Sequence, residues 1–172
     1  RPGDTDIATG VSGLDVGSFL SWGSLGGHVP RIAVNNGYCF AGNAALFGCA
    51  DITIATKTSY IGMAGPAMIE YGGLGKHAPT EIGPTDVQEA NGVIDIVAAD
   101  EAGATAAAKQ VLSYFQGRVS GWKAHDQRPL RDALPDDRRF GYNVRRVIET
   151  LADEGSFLEL RRPYGRNVIT GF

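Results

Sequence analysis

The stretch with the most chemical potential in this chain, Gly37 to Thr56 (GYCFAGNAALFGCADITIAT), holds no nucleophile, metal cluster or acid/base pair. Its potential lies in the backbone. An apolar strand over 32–35 runs into a tight turn over 36–41 and then a small-residue helix over 42–49. That order sets amides with no helical partner at the end of a strand. Ala41 and Gly42 are small enough to let a carbonyl approach. Donors aimed at a developing oxyanion are worth about 3–4 kcal/mol each when lost. The plainer alternative is a glycine turn that serves only helix–strand packing. A second turn of similar make follows at Gly62-Met63-Ala64-Gly65-Pro66.

The remaining reactive residue types offer less. Cys39 and Cys49 lack CxxC spacing and sit among apolar residues, which reads as reduced packing cysteines of a cytoplasmic protein. His28 and His77 have no neighbour at ligand spacing, so no metal site is expected. Gly10-Val11-Ser12-Gly13 is not a nucleophile elbow. Arg145-Arg146 and Arg161-Arg162 read first as a solvated basic face. A net charge of −3 argues against nucleic acid or an anionic membrane surface as partner. No apolar run approaches the roughly 20 residues of a membrane helix, and no signal-peptide pattern opens the sequence.

The elements that must position the turns are α/β. Residues 1–18 read as loop, and 18–25 as the end of a helix. Pro30–Asn35 is a short buried strand, 52–55 alternates like another, and 59–62 a third. Asn91-Gly92 precedes a strand over 93–97. Asp100 caps a helix in which Ala104, Ala108, Val111, Leu112 and Phe115 recur at helical spacing. Residues 116–140 lack periodicity and form a connector. Asn143 caps an amphipathic helix with Val144, Val147, Ile148 and Leu151 on one stripe. Residues 158–161 and 167–172 read as the opening of a second sheet. The polar, loop-like start and the β-branched end suggest a piece of a longer polypeptide.

Strand, turn and helix followed by Ala50-Asp51-Ile52 and Ile61-Gly62 resemble the crotonase/ClpP superfamily. Within it, four stretches are similar to the carboxyltransferase (β) subunit of biotin-dependent acyl-CoA carboxylases of the propionyl- and acetyl-CoA type. They are VPRIAVNNGYCFAGNAALFGCADITIAT, TSYIGMAGPAMIE, Asn91-Gly92-Val93-Ile94-Asp95 and YNVRRVIETLADEGSFLELRRPYGRNVITGF. The resemblance implies a crotonase-like spiral of ββα units, with a partial first domain (1–116), a connector (117–142) and the start of a second domain (143–172). Hydratases of the superfamily carry glutamates where this chain has Ala45 and Ala67, and the peptidases a serine at the helix start, so both are disfavoured.

The resemblance also implies the reaction: transfer of a carboxyl group from carboxybiotin to the α-carbon of an acyl-CoA. Biotin, carried on a partner, supplies the base, so no histidine, cysteine or carboxylate of this segment is expected to be an essential proton carrier. The amides of Ala41 and Gly42 match the family's first oxyanion pair, where Gly-Gly is more frequent, and both are expected to open onto the main cleft. Gly37, Phe40, Met63, Ala64 and Gly65 are the expected substrate contacts, with packing as the alternative for Phe40 and Tyr38. The implied partners are acyl-CoA, a biotin carboxylase/biotin carrier subunit, and further copies in a dimer-based oligomer, a hexamer among the forms. A non-catalytic scaffold subunit and a biotin-dependent decarboxylase stand as alternatives.

Overall fold

The computed structural model describes residues 17–137 and 139–172. The expected loop therefore lies outside the described residues up to residue 16, as does the Gly10–Gly13 motif.

The architecture is set by one strand. Ile-Thr-Ile-Ala-Thr over Ile52–Thr56 (β3) is buried at all five positions, so both of its faces are covered. β-Branched side chains suit such a strand because their stiff rotamers pack well on a pleated surface. It runs parallel to β1 (Ile32–Asn35) on one side, with Ile32 opposite Ile52, and to β5 (Ile96–Ala98) on the other, with Ile54 opposite Ile96. A second parallel pair, β2 (Tyr38–Phe40) and β4 (Tyr60–Gly62), lies beside this sheet, with Cys39 opposite Ile61. Helix α1 (Gly17–Ser24) precedes β1, α2 (Gly42–Gly48) follows β2, and α3 (Pro66–Tyr71) follows β4. The chain thus repeats ββα, and like strands of successive repeats pair with each other. This is a spiral of the crotonase-like kind, as expected.

The expected turn over 36–41 is shorter than the sequence suggested. Gly37 takes φ 90°, and its carbonyl accepts from Asn35 Nδ2 (2.9 Å) and from the Tyr60 amide (2.9 Å). Asn36 is held from β3 through Thr56 Oγ1 (2.7 Å). The chain has therefore turned by Gly37, and residues 38–40 become a strand. Their partner lies about twenty residues on, which is why local pattern misses them.

Two clusters fill the interior. Cys39, Ala44, Phe47, Ala55, Ile61 and Ile94 pack together, with Ala33 and Val97 against them. Across β3, residues Ile52, Ile54 and Ala98 meet Ala104 and Val111 of α5 (Glu101–Ser113). Burial of Ile54, fully covered, is worth about 1.5–3 kcal/mol. Asp100 caps α5 as expected, its Oδ1 accepting from the Gly103 amide at 2.7 Å. The expected strand over 93–97 shifts to 96–98, because Val93 and Ile94 still belong to the approach from the Asn91-Gly92 turn. Helix α4 (Thr85–Ala90), unforeseen, fills the interval before it.

Asn143 caps α6 (Val144–Leu151) through its Oδ1 and the Arg145 amide (3.1 Å). The apolar stripe of α6 meets a 3₁₀ turn of the connector, Arg128–Asp132, but Val144 remains 44% and Leu151 61% exposed. The closing strands β6 (Glu159–Leu160) and β7 (Thr170–Gly171) are antiparallel, as a separate small sheet. Two ion pairs tie this region down. The Arg145 guanidinium grips Glu159 with both Nε and Nη2 (2.5–3.1 Å) and holds its carboxyl below the ordinary range. Arg161 Nε meets Asp95 Oδ1 at 2.5 Å, while Asp95 Oδ2 accepts from the Thr53 amide (2.8 Å) and Thr53 Oγ1 (2.9 Å).

Candidate active site

The C-terminal ends of β2 and β4 lie side by side, and most of the sequence-derived candidates gather there. Phe40 ends β2. A Cβ built on Gly65 would be 3.5 Å from its ring, and one built on Gly62 3.8 Å. Both glycines therefore leave room for this aromatic. Met63 is 66% exposed, next to half-buried Ala64 and Gly65. Gly37 is not part of this group. It opens β2 at the far end, about 13 Å of strand from Ala41, and its carbonyl is spent on the inter-sheet turn. Tyr38, the first residue of β2, stacks between Phe40 (5.8 Å) and Tyr60 (5.3 Å).

Ala41 links β2 to α2 with φ 53° and ψ −123°, a conformation open to glycine and strained for a residue with a Cβ. Two bonds hold it. Its amide donates to the Gly62 carbonyl (3.1 Å), extending the β2–β4 ladder by one residue, and its carbonyl accepts from the Ala45 amide (3.0 Å). The two expected donors are therefore unlike. The Ala41 amide is occupied, whereas the Gly42 amide has no acceptor among the described residues. In a trans peptide the N–H points opposite to the C=O. Since the Ala41 carbonyl points into α2, the Gly42 N–H points out of it. Gly42 is exposed, and a Cβ there would stand 3.2 Å from Phe19 Cζ of α1. Helix α2 has only seven residues, so a local amide, rather than a long helix dipole, is what this turn offers.

Strain at Ala41 has a measurable consequence. Ala41→Gly should raise the folding stability of the intact protein by about 1 kcal/mol, strain relief exceeding the entropic cost of glycine. Denaturant midpoints would test it. An unchanged or lower midpoint would mean the backbone there is relaxed.

Beside the turn, α1, β1, β2 and α2 enclose an open cleft of about 410 Å³, lined by Trp22, Val34, Tyr38, Asn43 and Phe47 among others. Asn43, the residue after the free amide, forms part of its wall. Ala45 on α2 and Ala67 on α3 occupy the glutamate positions, and the carboxylate that α3 does carry, Glu70, pairs with Lys76 (2.9 Å). His77 lies instead beside Glu81, 3.8 Å away, and Cys39 is buried in the core, where desolvation pushes its thiol pKa up. No three His, Cys, Asp or Glu side chains among the described residues group as a metal site, and no helix among them is long and apolar enough to cross a membrane.

Sequence reasoning missed the supports of β4. The Ile61 amide donates to the Gly83 carbonyl (2.8 Å), and the Ile61 carbonyl accepts from Gln88 Nε2 (2.5 Å) on α4. Thr85 Oγ1 sits 2.9 Å from the Thr56 carbonyl and 2.8 Å from that of Ser59. The signal was present: Pro84 ahead of a short acidic-first turn, closed by Asn91-Gly92.

Residues 4–172 match the family model of the carboxyl transferase domain. The chain is 32% identical over 163 residues to the methylmalonyl-CoA carboxyltransferase 12S subunit of Propionibacterium freudenreichii subsp. shermanii, covering 90% of this chain and 31% of that protein. It is 29% identical over 180 residues to the propionyl-CoA carboxylase beta chain of Rhodococcus erythropolis, covering 99% and 38%. Among solved structures, a single-chain, multi-domain long-chain acyl-CoA carboxylase superposes with TM-score 0.90 at 53% identity, over 99% of this chain and 17% of that one. The transcarboxylase 12S hexamer with hydrolysed methylmalonyl-CoA bound superposes at TM-score 0.77 and 30% identity, over 90% and 32%. The chain thus spans about a third of the length of these curated relatives.

Proposed function

The chain belongs to the carboxyl transferase domain family, and from that premise we propose that it contributes the acyl-CoA half of a biotin-dependent carboxyltransferase. The reaction is transfer of a carboxyl group between carboxybiotin and the α-carbon of an acyl-CoA. The observation that carries this reading is the unpartnered Gly42 amide, exposed beside an apolar cleft and aimed out of a strained turn. It donates to the thioester carbonyl, and donates more strongly as negative charge develops there on removal of the α-proton. Phe40, Met63, Ala64 and Gly65 shape the surface on which the acyl group lies, and Ala41 sets the direction of the amide.

The site fits a cofactor that brings its own base, because among the described residues no carboxylate or histidine lines the cleft and its one cysteine, Cys39, is buried. When bound, carboxybiotin supplies both the carboxyl group and that base. Its carrier is a partner subunit or domain, and the assembly is built from several copies, as in the 12S hexamer. The scaffold alternative rested on Ala41 departing from glycine and on the bare side-chain chemistry; the second is what a base brought by the cofactor accounts for, and the first bears on the turn. An amide that bonds to Gly62 has no need of a glycine to clear the substrate, which supports the catalytic reading.

The intact protein, incubated with biotin and malonyl-CoA or methylmalonyl-CoA, should release the carboxyl group in a biotin-dependent manner. Release without biotin, or none with either thioester while both still bind, would count against the reading.

A further inference from the structure

Strand β4 holds the strained turn at Ala41 through one bond, Ala41 N–H to Gly62 O, so whatever fixes β4 also fixes the amide beyond it. Parallel pairing uses every other residue of a strand. Tyr60 and Gly62 face β2, while the peptide groups of Ile61 face the opposite way. On that side a neighbouring strand would supply one donor and one acceptor. Gly83 supplies the acceptor, its carbonyl 2.8 Å from the Ile61 amide. The backbone supplies no donor, and the side chain of Gln88 takes its place, Nε2 to the Ile61 carbonyl at 2.5 Å. Gln88 is itself held in place: Thr85, one turn earlier on α4, is buried against the carbonyls of Thr56 and Ser59. α4 therefore holds β4 itself through Gln88 and the segment leading into it, from Thr56 to Ser59, through Thr85.

Resting on the function proposed above, we propose that Gln88 is a positioning residue for the Gly42 amide, acting through β4 without touching substrate. The path has four links. Gln88 fixes the Ile61 carbonyl; the next peptide carries the Gly62 carbonyl; that carbonyl holds the Ala41 amide; and Ala41, at φ 53°, sets the plane whose N–H is that of Gly42. Because Ala41 is strained, it relaxes once Gly62 moves, and the amide turns away from the thioester carbonyl. An error of about 1 Å in such a donor is felt mainly in turnover.

The test uses the intact protein in the biotin-dependent assay. Gln88→Met keeps length but removes the donor. It should lower kcat about tenfold and leave KM for the acyl-CoA within about twofold, since the donor strengthens mainly in the transition state. Gln88→Glu supplies the distinguishing readout. Ionised, its carboxylate faces the Ile61 carbonyl with no hydrogen; protonated, its O–H donates again. Its kcat relative to wild type should therefore climb as pH falls toward the carboxyl pKa, whereas Gln88→Met stays at a constant ratio. Flat ratios for both variants, or kcat equal to wild type, would overturn the positioning role. A wild-type protein with no biotin-dependent turnover would overturn the functional reading, and the positioning role with it. A variant that lost its fold would be caught by circular dichroism, and Gln88→Glu at low pH then decides alone.

Discussion

Gly42→Val is expected to cut turnover of the intact carboxyltransferase by about 10²–10³-fold, with a much smaller change in KM for the acyl-CoA. The amide remains, so the loss comes from approach. Valine adds branched carbon at the point where a thioester oxygen must come within about 3 Å of the N–H. The fold has slack for the change. The φ of Gly42 is not in the left-handed region, and the Cβ would press on the far end of Phe19, a residue that is 41% exposed. Gly42→Ala, with the same contact but no branches, should fall between wild type and valine. Steady-state kinetics separates the outcomes: equal losses in kcat and in binding would mean that the turn itself had collapsed.

Among the described glycines, Gly83→Ala should be the most damaging to stability. Gly83 has φ 56°, and a Cβ there would run into the Ile61 carbonyl and come within 2.7 Å of Gln88 Nε2. Neither can yield easily, since that carbonyl and that side chain are already bonded to each other. We expect a loss of about 4 kcal/mol or more. Gly117 is the control, with φ 84° and open space around it. Gly117→Ala should cost only about 1 kcal/mol of backbone strain. Urea denaturation of the two variants distinguishes steric collision from positive φ. Equal midpoints would show that the contact at Ile61 is not tight.

Why some of this could be read in the sequence, and some could not, follows from the range of the interactions. β3, α5 and α6 declare themselves locally, through β-branched alternation, an Asp cap and an Asn cap with a 3.6-residue stripe. The apolar stripe of α6 is legible locally, and Val144 and Leu151 on it stay exposed beside the connector. β2 was invisible because three residues become a strand only when Tyr60–Gly62 lies alongside. α4 has no periodic signal over its six residues and is marked only at its ends, by Pro84 and the Asn91-Gly92 turn. At the site, the turn was legible and the fate of its two amides was not. Adjacent N–H groups look alike in sequence, yet one is consumed by Gly62, and that depends on a strand crossing that no local pattern records. Gly37 was drawn into the site by nearness in sequence, although a strand separates it from Ala41.

The Asp95–Arg161 pair has a consequence in time. Its two halves are 66 residues apart, so a ribosome adding roughly 5–20 residues per second makes the carboxylate some 3–13 s before the guanidinium exists. A carboxylate left alone in a closing core would favour staying open. Here Thr53, already made, offers both its amide and its hydroxyl to one carboxylate oxygen, while the other waits at the surface that Arg161 will cover. The early sheet can thus form on the nascent chain without an orphaned charge, and the later segment closes over it as it emerges.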